Sequence, residues 1–367
     1  MVWTEDDVRF MREAHSLAKS AEGRTTPDPL VGAVLVKSGR IISMGYHGEV
    51  TTPHAEAWAI QKAGEEARGA TLYINLEPCC DFANKNNPPC TEAVIRAGIK
   101  RVVASMKDPN PMVNGRGFAK LKRHGIRVEV GLLEKEARHL NEVFSKYIRT
   151  KRPFVCLKTA LTLDGKIATR TGASRWVAGP EALRFAHHLR NIYDAILVGI
   201  GNVLIDDPRL DVRRVEKVKD PVRVVLDSFA RTPLRAKVLT TGKARTIIVV
   251  GPRAPKSKVE ALAKKGAEIL SVSAPNGRIN IKELLKKLGE MKITSLLVEG
   301  GGEVNSSFIA ANAVDKAYFI IAPKVFGGRD AKTPVEGEGI ALPGQAKWLK
   351  NVYVDKVGED ILISGHF

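Results

Sequence analysis

Four side chains in the first quarter of the chain have the types and order that hydrolytic metal chemistry requires. His54 opens the segment His54-Ala55-Glu56, Cys79 follows Pro78, and Cys90 follows Pro88-Pro89. One imidazole and two thiolates give a zinc ion three ligands and leave the fourth tetrahedral position to water, the layout of a catalytic rather than a structural site. Zinc so held brings the pKa of that water towards neutrality. A carboxylate two residues after the histidine ligand, at a helix start, reaches the same water. Glu56 can therefore take the water's proton and return it to a ring nitrogen and to departing ammonia.

The pattern is close to the H-x-E…P-C-x-x-C signature of zinc nucleobase deaminases, but its second cysteine comes late, at Cys90. Cys80 is adjacent to Cys79, and neighbouring side chains at a helix start diverge by about 100°; Cys79 and Cys90 are the predicted thiolates. Cys90 opens the next helix, whose N-terminal dipole favours a thiolate. His47, in the loop Gly45-Tyr46-His47-Gly48, reads as a substrate-side group or as a loop hydrogen bond.

The elements that must position these residues alternate. Helical spacing covers 6–21, 54–67, 90–97 and 115–124; strand patterns cover 31–36, 41–45, 71–76, 101–106 and 127–130. Such alternation predicts an α/β/α three-layer domain. Residues 140–153 read as a last helix and a linker. The second half restarts with a strand at 154–158. Strands follow at 195–198, 222–226, 246–250 and 296–299, helices at 180–191, 256–265 and 281–291, and closing strands at 316–322 and 352–363. This is a second α/β domain, and the expected boundaries are 1–148 and 149–367.

A length of 367 residues with 44% hydrophobic content suits two globular domains. No apolar run approaches the ~20 residues of a membrane span, and the N-terminus lacks a signal-peptide pattern. Three of the four cysteines lie between 79 and 90, which suits a metal cluster better than a disulfide framework. The expected setting is reducing and cytoplasmic. The net charge of +18 is uneven: +4 over residues 1–150 and +14 over 151–367. The basic excess is spread singly or in pairs. With only 6% aromatics it reads as solvated faces able to attract a phosphorylated small molecule rather than as a nucleic-acid stripe.

The motifs taken together resemble the bifunctional deaminase/reductase family of riboflavin biosynthesis. They are T-x-D-P-L-V-G-A-V (26–34), H-A-E (54–56), L-E-P-C-C (76–80), P-P-C (88–90) and D-P-N-P-x-V-x-G-R-G (108–117) in the first half. In the second they are L-K-T-A-x-T-L-D-G-K-I-A (157–168), S-R-W (174–176), I-L-V-G-I-G-N-V (196–203), D-D-P-R-L (206–210), V-L-D-S (225–228), V-E-G-G (298–301) and A-P-K (322–324). The resemblance implies a cytidine-deaminase-like domain followed by a dihydrofolate-reductase-like domain, a homo-oligomer, and two successive reactions on one phosphorylated pyrimidine. His54, Cys79 and Cys90 match the family's zinc ligands and Glu56 its proton-transfer residue. It implies NADPH contacts at Ala160, Trp176, Asn202, Asp206 and Ser228 and along the nucleotide loop Gly301, Gly302, Glu303, Val304, Asn305, Ser306 and Ser307. Substrate contacts are implied at Ser174, Arg190, Leu210, Arg213 and Glu299. The chain departs from the family at Asp28-Pro29, where Asn-Pro is usual: an Asn both donates to and accepts from the pyrimidine, whereas an ionised Asp only accepts. An insertion around 84–87 lengthens the Cys79–Cys90 spacing.

Without the family, the second half offers weaker signals. Gly300-Gly301-Gly302 before a helix suits a phosphate approached by backbone N–H groups. Gly199-Ile200-Gly201-Asn202-Val203-Leu204 lacks the third glycine of the Rossmann fingerprint. Lys158, Asp164 and Lys166 read as a site rim, with a plain turn as the other reading of Asp164. Glu299, beside the glycines, is the carboxylate expected nearest the reacting sugar, and Lys158 the candidate to supply a proton or orient a hydroxyl. Arg190 and Arg213 each read singly as a surface ion pair; together with the resemblance they are expected to clamp the substrate phosphate. Two other readings stand beside this one: a tRNA or other nucleic-acid deaminase with a basic binding domain, and a scaffold whose zinc is structural, which Asp28 favours.

Overall fold

The computed structural model describes residues 2–80 and 88–367. They form two compact units that divide after Lys151.

The first unit contains α1 (Glu5–Lys19), β1 (Gly32–Lys37), β2 (Arg40–Tyr46), α2 (Ala55–Ala63), β3 (Thr71–Leu76), α3 (Cys90–Arg96), β4 (Arg101–Met106), α4 (Arg116–Arg123), β5 (Arg127–Val130), α5 (Glu134–Leu140) and α6 (Glu142–Thr150). Its sheet has the order β2-β1-β3-β4-β5. The β1 strand is antiparallel to both neighbours, and β3, β4 and β5 run parallel. Strand alternation serves two cores. Val34, Val36, Tyr73 and Val103 meet Phe10, Met11 and Ala14 of α1. Ala33, Leu35, Leu72, Ile74, Val102 and Ala104 meet Ala55 and Ala59 of α2, Val94 of α3 and Phe118 and Leu121 of α4. Burial on both faces makes these strands continuous apolar runs.

The predicted helix over 54–67 is shorter in the structure. Gly64, at φ 55°, ends α2, and Gly64–Ala67 forms a 3-10 turn. At Gly45 a side chain would drive its Cβ into the backbone of Ala55 and Ala59. Glycine there lets the start of α2, with His54 and Glu56, lie directly on β2.

The second unit contains β6 (Phe154–Thr162), α7 (Pro180–Ile192), β7 (Ala195–Gly199), α8 (Ile200–Asp206), β8 (Val222–Leu226), α9 (Lys237–Thr240), β9 (Thr246–Val250), α10 (Lys256–Lys264), β10 (Glu268–Ser271), α11 (Ile281–Glu290), β11 (Ser295–Val298), α12 (Gly302–Ala310), β12 (Lys316–Ala322), β13 (Lys350–Val357) and β14 (Asp360–His366). The sheet order is β10-β9-β8-β7-β11-β6-β12-β14-β13. It is parallel from β10 to β12, and β14 and β13 are added antiparallel. Successive residues of β7 again face two cores, Ala195 and Leu197 one way, Ile196 and Val198 the other.

Two features exceed the sequence reading. The β6 strand runs on to Thr162 because it pairs with β12 up to Ala322↔Thr162, which places Lys158 in mid-strand. Residues 200–206, read only as a failed fingerprint, form the two-turn helix α8 directly after β7.

Candidate active sites

In the first unit three separate elements bring their ends together. His54 is the N-cap of α2, in extended conformation and with no side-chain cap bond, so its ring is not spent on the helix. Cys79 lies just past β3, and Cys90 is the first residue of α3. His54 Nδ1 is 3.1 Å from Cys90 Sγ and 3.5 Å from Cys79 Sγ. The three ligand atoms all lie within 4.8 Å of one another. Tetrahedral zinc, with Zn–N of roughly 2.0 Å and Zn–S of roughly 2.3 Å, requires N···S separations of about 3.5 Å. The donor set therefore fits zinc with shifts of a few tenths of an ångström. The Cys90 amide, at the start of α3, points at Cys79 Sγ from 3.4 Å. Cys80 is buried outside this group.

Glu56 is buried beside the ligands. Burial and the Cys79 sulfur raise its pKa, while His54 and a hydrogen bond with Cys90 oppose the rise. His47 Nε2 is 3.2 Å from Asp28 Oδ2. The His47 ring stands edge-on to His54 with centroids 5.2 Å apart. His47 and Asp28 thus form one unit at the metal site. The insertion around 84–87 lies outside the described residues.

Two carboxylates here were quoted in motifs but given no role. Glu77 accepts from the backbone N–H groups of Asp108, Gly115, Gly117 and Phe118. Asp108, 6% exposed, has its pKa pushed up to about 7, by burial first and then by the negative charges of Glu77, Cys79 and Glu56. Their adjacency to prolines and cysteines was the available signal; the loop that folds one onto the other was not legible.

In the second unit a cleft of about 740 Å³ opens where β6, β7 and β11 give way to α8 and the Gly300–Gly302 turn. Of the predicted residues, Lys158, Ala160, Ser174, Trp176, Arg190, Asn202, Asp206, Leu210, Arg213, Glu299, Gly301, Gly302, Glu303 and Val304 all line it. A Cβ on Gly201 would meet nothing within 4 Å, and one on Gly301 only the Asn202 side chain at 3.8 Å. Both backbones border open space, a cradle suited to a nucleotide's phosphates.

Four predicted NADPH contacts do not line this cleft: Ser228, Asn305, Ser306 and Ser307. The last three belong to α12, whose helical turn carries them past the cleft. Asn305 is fully buried and donates to Pro334 O at 2.8 Å; Ser307 donates to Glu303 O. Asp164 has the turn role, accepting from the Phe326 and Gly327 amides, and Lys166 Nζ donates to Ala331 O.

The two arginines expected to clamp a phosphate are already paired in this structure. Arg190 meets Glu299 in a two-pronged contact, and Arg213 meets Asp211 at 2.6 Å. Burial alone would raise the Glu299 pKa, but Arg190 and Lys158 outweigh it and hold it at about 2. Lys158 is lowered by burial, against the pull of Glu299. His187, which the sequence reading missed, also lines the cleft and accepts from the Arg213 amide at Nδ1. Burial and then the charges of Arg190 and Arg213 push its pKa down to about 4.

Residues 153–363 match the family described as RibD C-terminal domain, and residues 4–106 match the cytidine and deoxycytidylate deaminase zinc-binding region. The riboflavin biosynthesis protein RibD of Aquifex aeolicus is 45% identical over 98% of both chains, and that of Escherichia coli is 36% identical over 97% of this chain and 98% of its own. Among solved structures, Acinetobacter baumannii RibD (form 1) superposes with a TM-score of 0.88 at 34% identity over 99% of both chains. A diaminohydroxyphosphoribosylaminopyrimidine deaminase/5-amino-6-(5-phosphoribosylamino)uracil reductase of Thermotoga maritima superposes with a TM-score of 0.86 at 38% identity over 98% of both. The first unit is a cytidine-deaminase-like α/β domain with a zinc site and the second a dihydrofolate-reductase-like α/β domain, and the chain belongs to the RibD family of bifunctional deaminase/reductases of riboflavin biosynthesis.

Proposed function

We propose that residues 1–148 deaminate 2,5-diamino-6-(5-phosphoribosylamino)pyrimidin-4-one, and that residues 149–367 then reduce the ribosyl side chain to ribityl with NADPH. The product is 5-amino-6-(5-phosphoribitylamino)uracil. The observation that carries this reading is the set of His54, Cys79 and Cys90 donor atoms at zinc-binding separations with Glu56 buried beside them.

Zinc held by His54, Cys79 and Cys90 would supply an activated water at neutral pH. Glu56, kept from solvent, moves the proton from that water to the pyrimidine ring nitrogen and on to the leaving ammonia. His47 and Asp28 face the pyrimidine, with Asp28 accepting a ring N–H. Bound in the cleft, NADPH would supply the hydride that reduces the opened ribose C1′. Ala160, Trp176, Asn202, Asp206 and the Gly301–Val304 turn hold the cofactor. Ser174, Leu210, Arg190, Arg213 and Glu299 hold the sugar phosphate, and Lys158 donates the proton that completes the reduction. Paired as they are, Arg190 orients Glu299 and Arg213 is the freer of the two to meet phosphate.

The match over 153–363 accounts for the basic half of the chain as a reductase, so an RNA-binding role loses its support. Among the described residues no helix is long and apolar enough to cross a membrane. A cytoplasmic setting is proposed because zinc thiolates need reducing conditions. A homo-oligomer is proposed because β13 is an edge strand with exposed apolar side chains, Val352, Tyr353 and Val354. A second copy of this chain is the proposed cover.

The test incubates the purified chain with the diaminopyrimidine phosphate, first alone and then with NADPH. Ammonia release in the first step and NADPH oxidation in the second are expected. Glu56→Gln should cost about 10²–10⁴-fold in ammonia release and leave reduction of the deaminated intermediate unchanged. Equal ammonia release by both proteins ends the deaminase reading.

A further inference from the structure

We propose that Glu77 is the positioning residue of the deaminase site: it is the fixed anion around which the loop from Asp108 to Phe118 folds, and it locks that loop to the strand end that presents Cys79. The proposal rests on the deaminase reading of the zinc site.

Glu77 is the first residue past β3 and is 3% exposed. Its Oε2 accepts from Asp108 N at 3.1 Å and Gly115 N at 2.8 Å; its Oε1 accepts from Gly117 N at 2.9 Å and Phe118 N at 3.2 Å. A carboxylate offers about four lone-pair positions, and all four are used by backbone amides. Bonds to an ionised acceptor are roughly twice as strong as neutral ones.

Three of these amides belong to the beginning of α4. Its N-cap, Gly115, has no side chain to satisfy them. Helix N-termini leave such donors unpaired and attract negative charge. Glu77 supplies, from a distant strand, the cap that the loop's own sequence omits.

The close approach has a second, independent sign. A Cβ on Gly117 would run into the Pro78 carbonyl oxygen and lie 3.1 Å from Glu77 Oε1. The loop therefore rests directly on the Pro78–Cys79 peptide and on the Glu77 carboxylate. Glu77 N in turn donates to Met106 O, and Cys79 O accepts from Thr91 N of α3. The segment that ends in Cys79 is thus pinned to β4, to the loop and to α3 within three residues. Asp108, at the start of the loop, is fixed by the same carboxylate.

The chemistry demands an anion and not merely a side chain of this size. Glutamine at 77 would present one oxygen and one NH₂ group, so two of the four amides would face a donor. A space-filling role would tolerate that exchange; a positioning role would not.

The test uses the full zinc-loaded chain, with the reductase as an internal standard of folding. Glu77→Gln should lower deaminase kcat per bound zinc by about 10–100-fold and weaken zinc binding in chelator competition by about 10-fold, the usual cost of removing a support of metal ligands. KM and reductase turnover should stay near wild type. In the wild-type protein, the amide protons of Asp108, Gly115, Gly117 and Phe118 should exchange far more slowly than those of exposed loop residues such as Met112. Wild-type kcat per zinc and wild-type zinc affinity in Glu77→Gln would overturn the proposal. So would fast exchange of the four amides, a result that stands even if the variant fails to fold. A wild-type chain without deaminase turnover would instead overturn the underlying reading, leaving zinc affinity and amide exchange to decide the role of Glu77.

Discussion

Arg190 and Glu299 meet across 109 residues of chain in a two-pronged ion pair, Nε to Oε1 at 3.0 Å and Nη2 to Oε2 at 2.8 Å. Both side chains are mostly buried, at 15% and 11% exposure. The pair joins α7 to the end of β11 at the floor of the reductase cleft. Removing one partner strands a charge in a poorly solvated place. Glu299→Ala should therefore destabilise the second unit by about 3 kcal/mol and collapse reductase kcat/KM, while ammonia release stays unchanged. Replacing both by apolar residues should recover the stability in denaturant titration but not the reductase activity.

His187 gives the second unit a pH dependence of definite sign. Its pKa falls from 6.5 in the unfolded chain to about 4 in the fold, because the ring is buried and faces the charges of Arg190 and Arg213. Above pH 6.5 neither state binds this proton and the stability is fully present. As pH falls towards 4 the unfolded chain takes up a proton that the folded chain refuses, and about 3 kcal/mol is lost. Urea titrations between pH 7 and 4 should show this slope, and His187→Asn should flatten it.

Asp28 stands where the sequence resemblance leads to the expectation of Asn. Its carboxylate meets His47 Nε2 at 3.2 Å. Asparagine would keep an acceptor for His47 and add a donor for the pyrimidine. Asp28→Asn should lower the deaminase KM by a fewfold, a change on the order of 1 kcal/mol, with kcat little altered. A raised KM would show that the carboxylate itself is the preferred contact.

The outer strand β13 exposes Val352, Tyr353 and Val354 by 51–65%. If a second copy covers it, charge on this strand should dissociate the assembly. Tyr353→Glu combined with Val354→Lys is expected to give monomers by light scattering, with both units still folded. A wild-type chain that is already monomeric would remove the premise.

Much of the deaminase site was legible because its parts are local. His54 and Glu56 share one helix start, Pro78-Cys79 follows the end of β3, and Pro89-Cys90 opens α3. Helix and strand periods marked most elements of both units but not α5, α8, α9 or β10. The misses have local causes too. A helical pattern over 54–67 hid the Gly64 break; β6 was cut short because its last residues are held by β12 rather than by their own apolar pattern.

The sequence by itself determined the kinds of chemistry available: a His-Cys-Cys donor set with a carboxylate beside it, and a reductase half with glycine turns and candidate site charges. Tertiary structure decided which of those groups face one another. It paired Arg190 with Glu299, gave His187 the Arg213 amide, carried Asn305, Ser306 and Ser307 past the cleft, and placed Glu77 under the loop from Asp108 to Phe118. Residue type sets what a side chain can donate, accept or ionise. Its partner is set by packing between elements far apart in the chain, where the cost of burying an unpaired polar group selects one arrangement over the others.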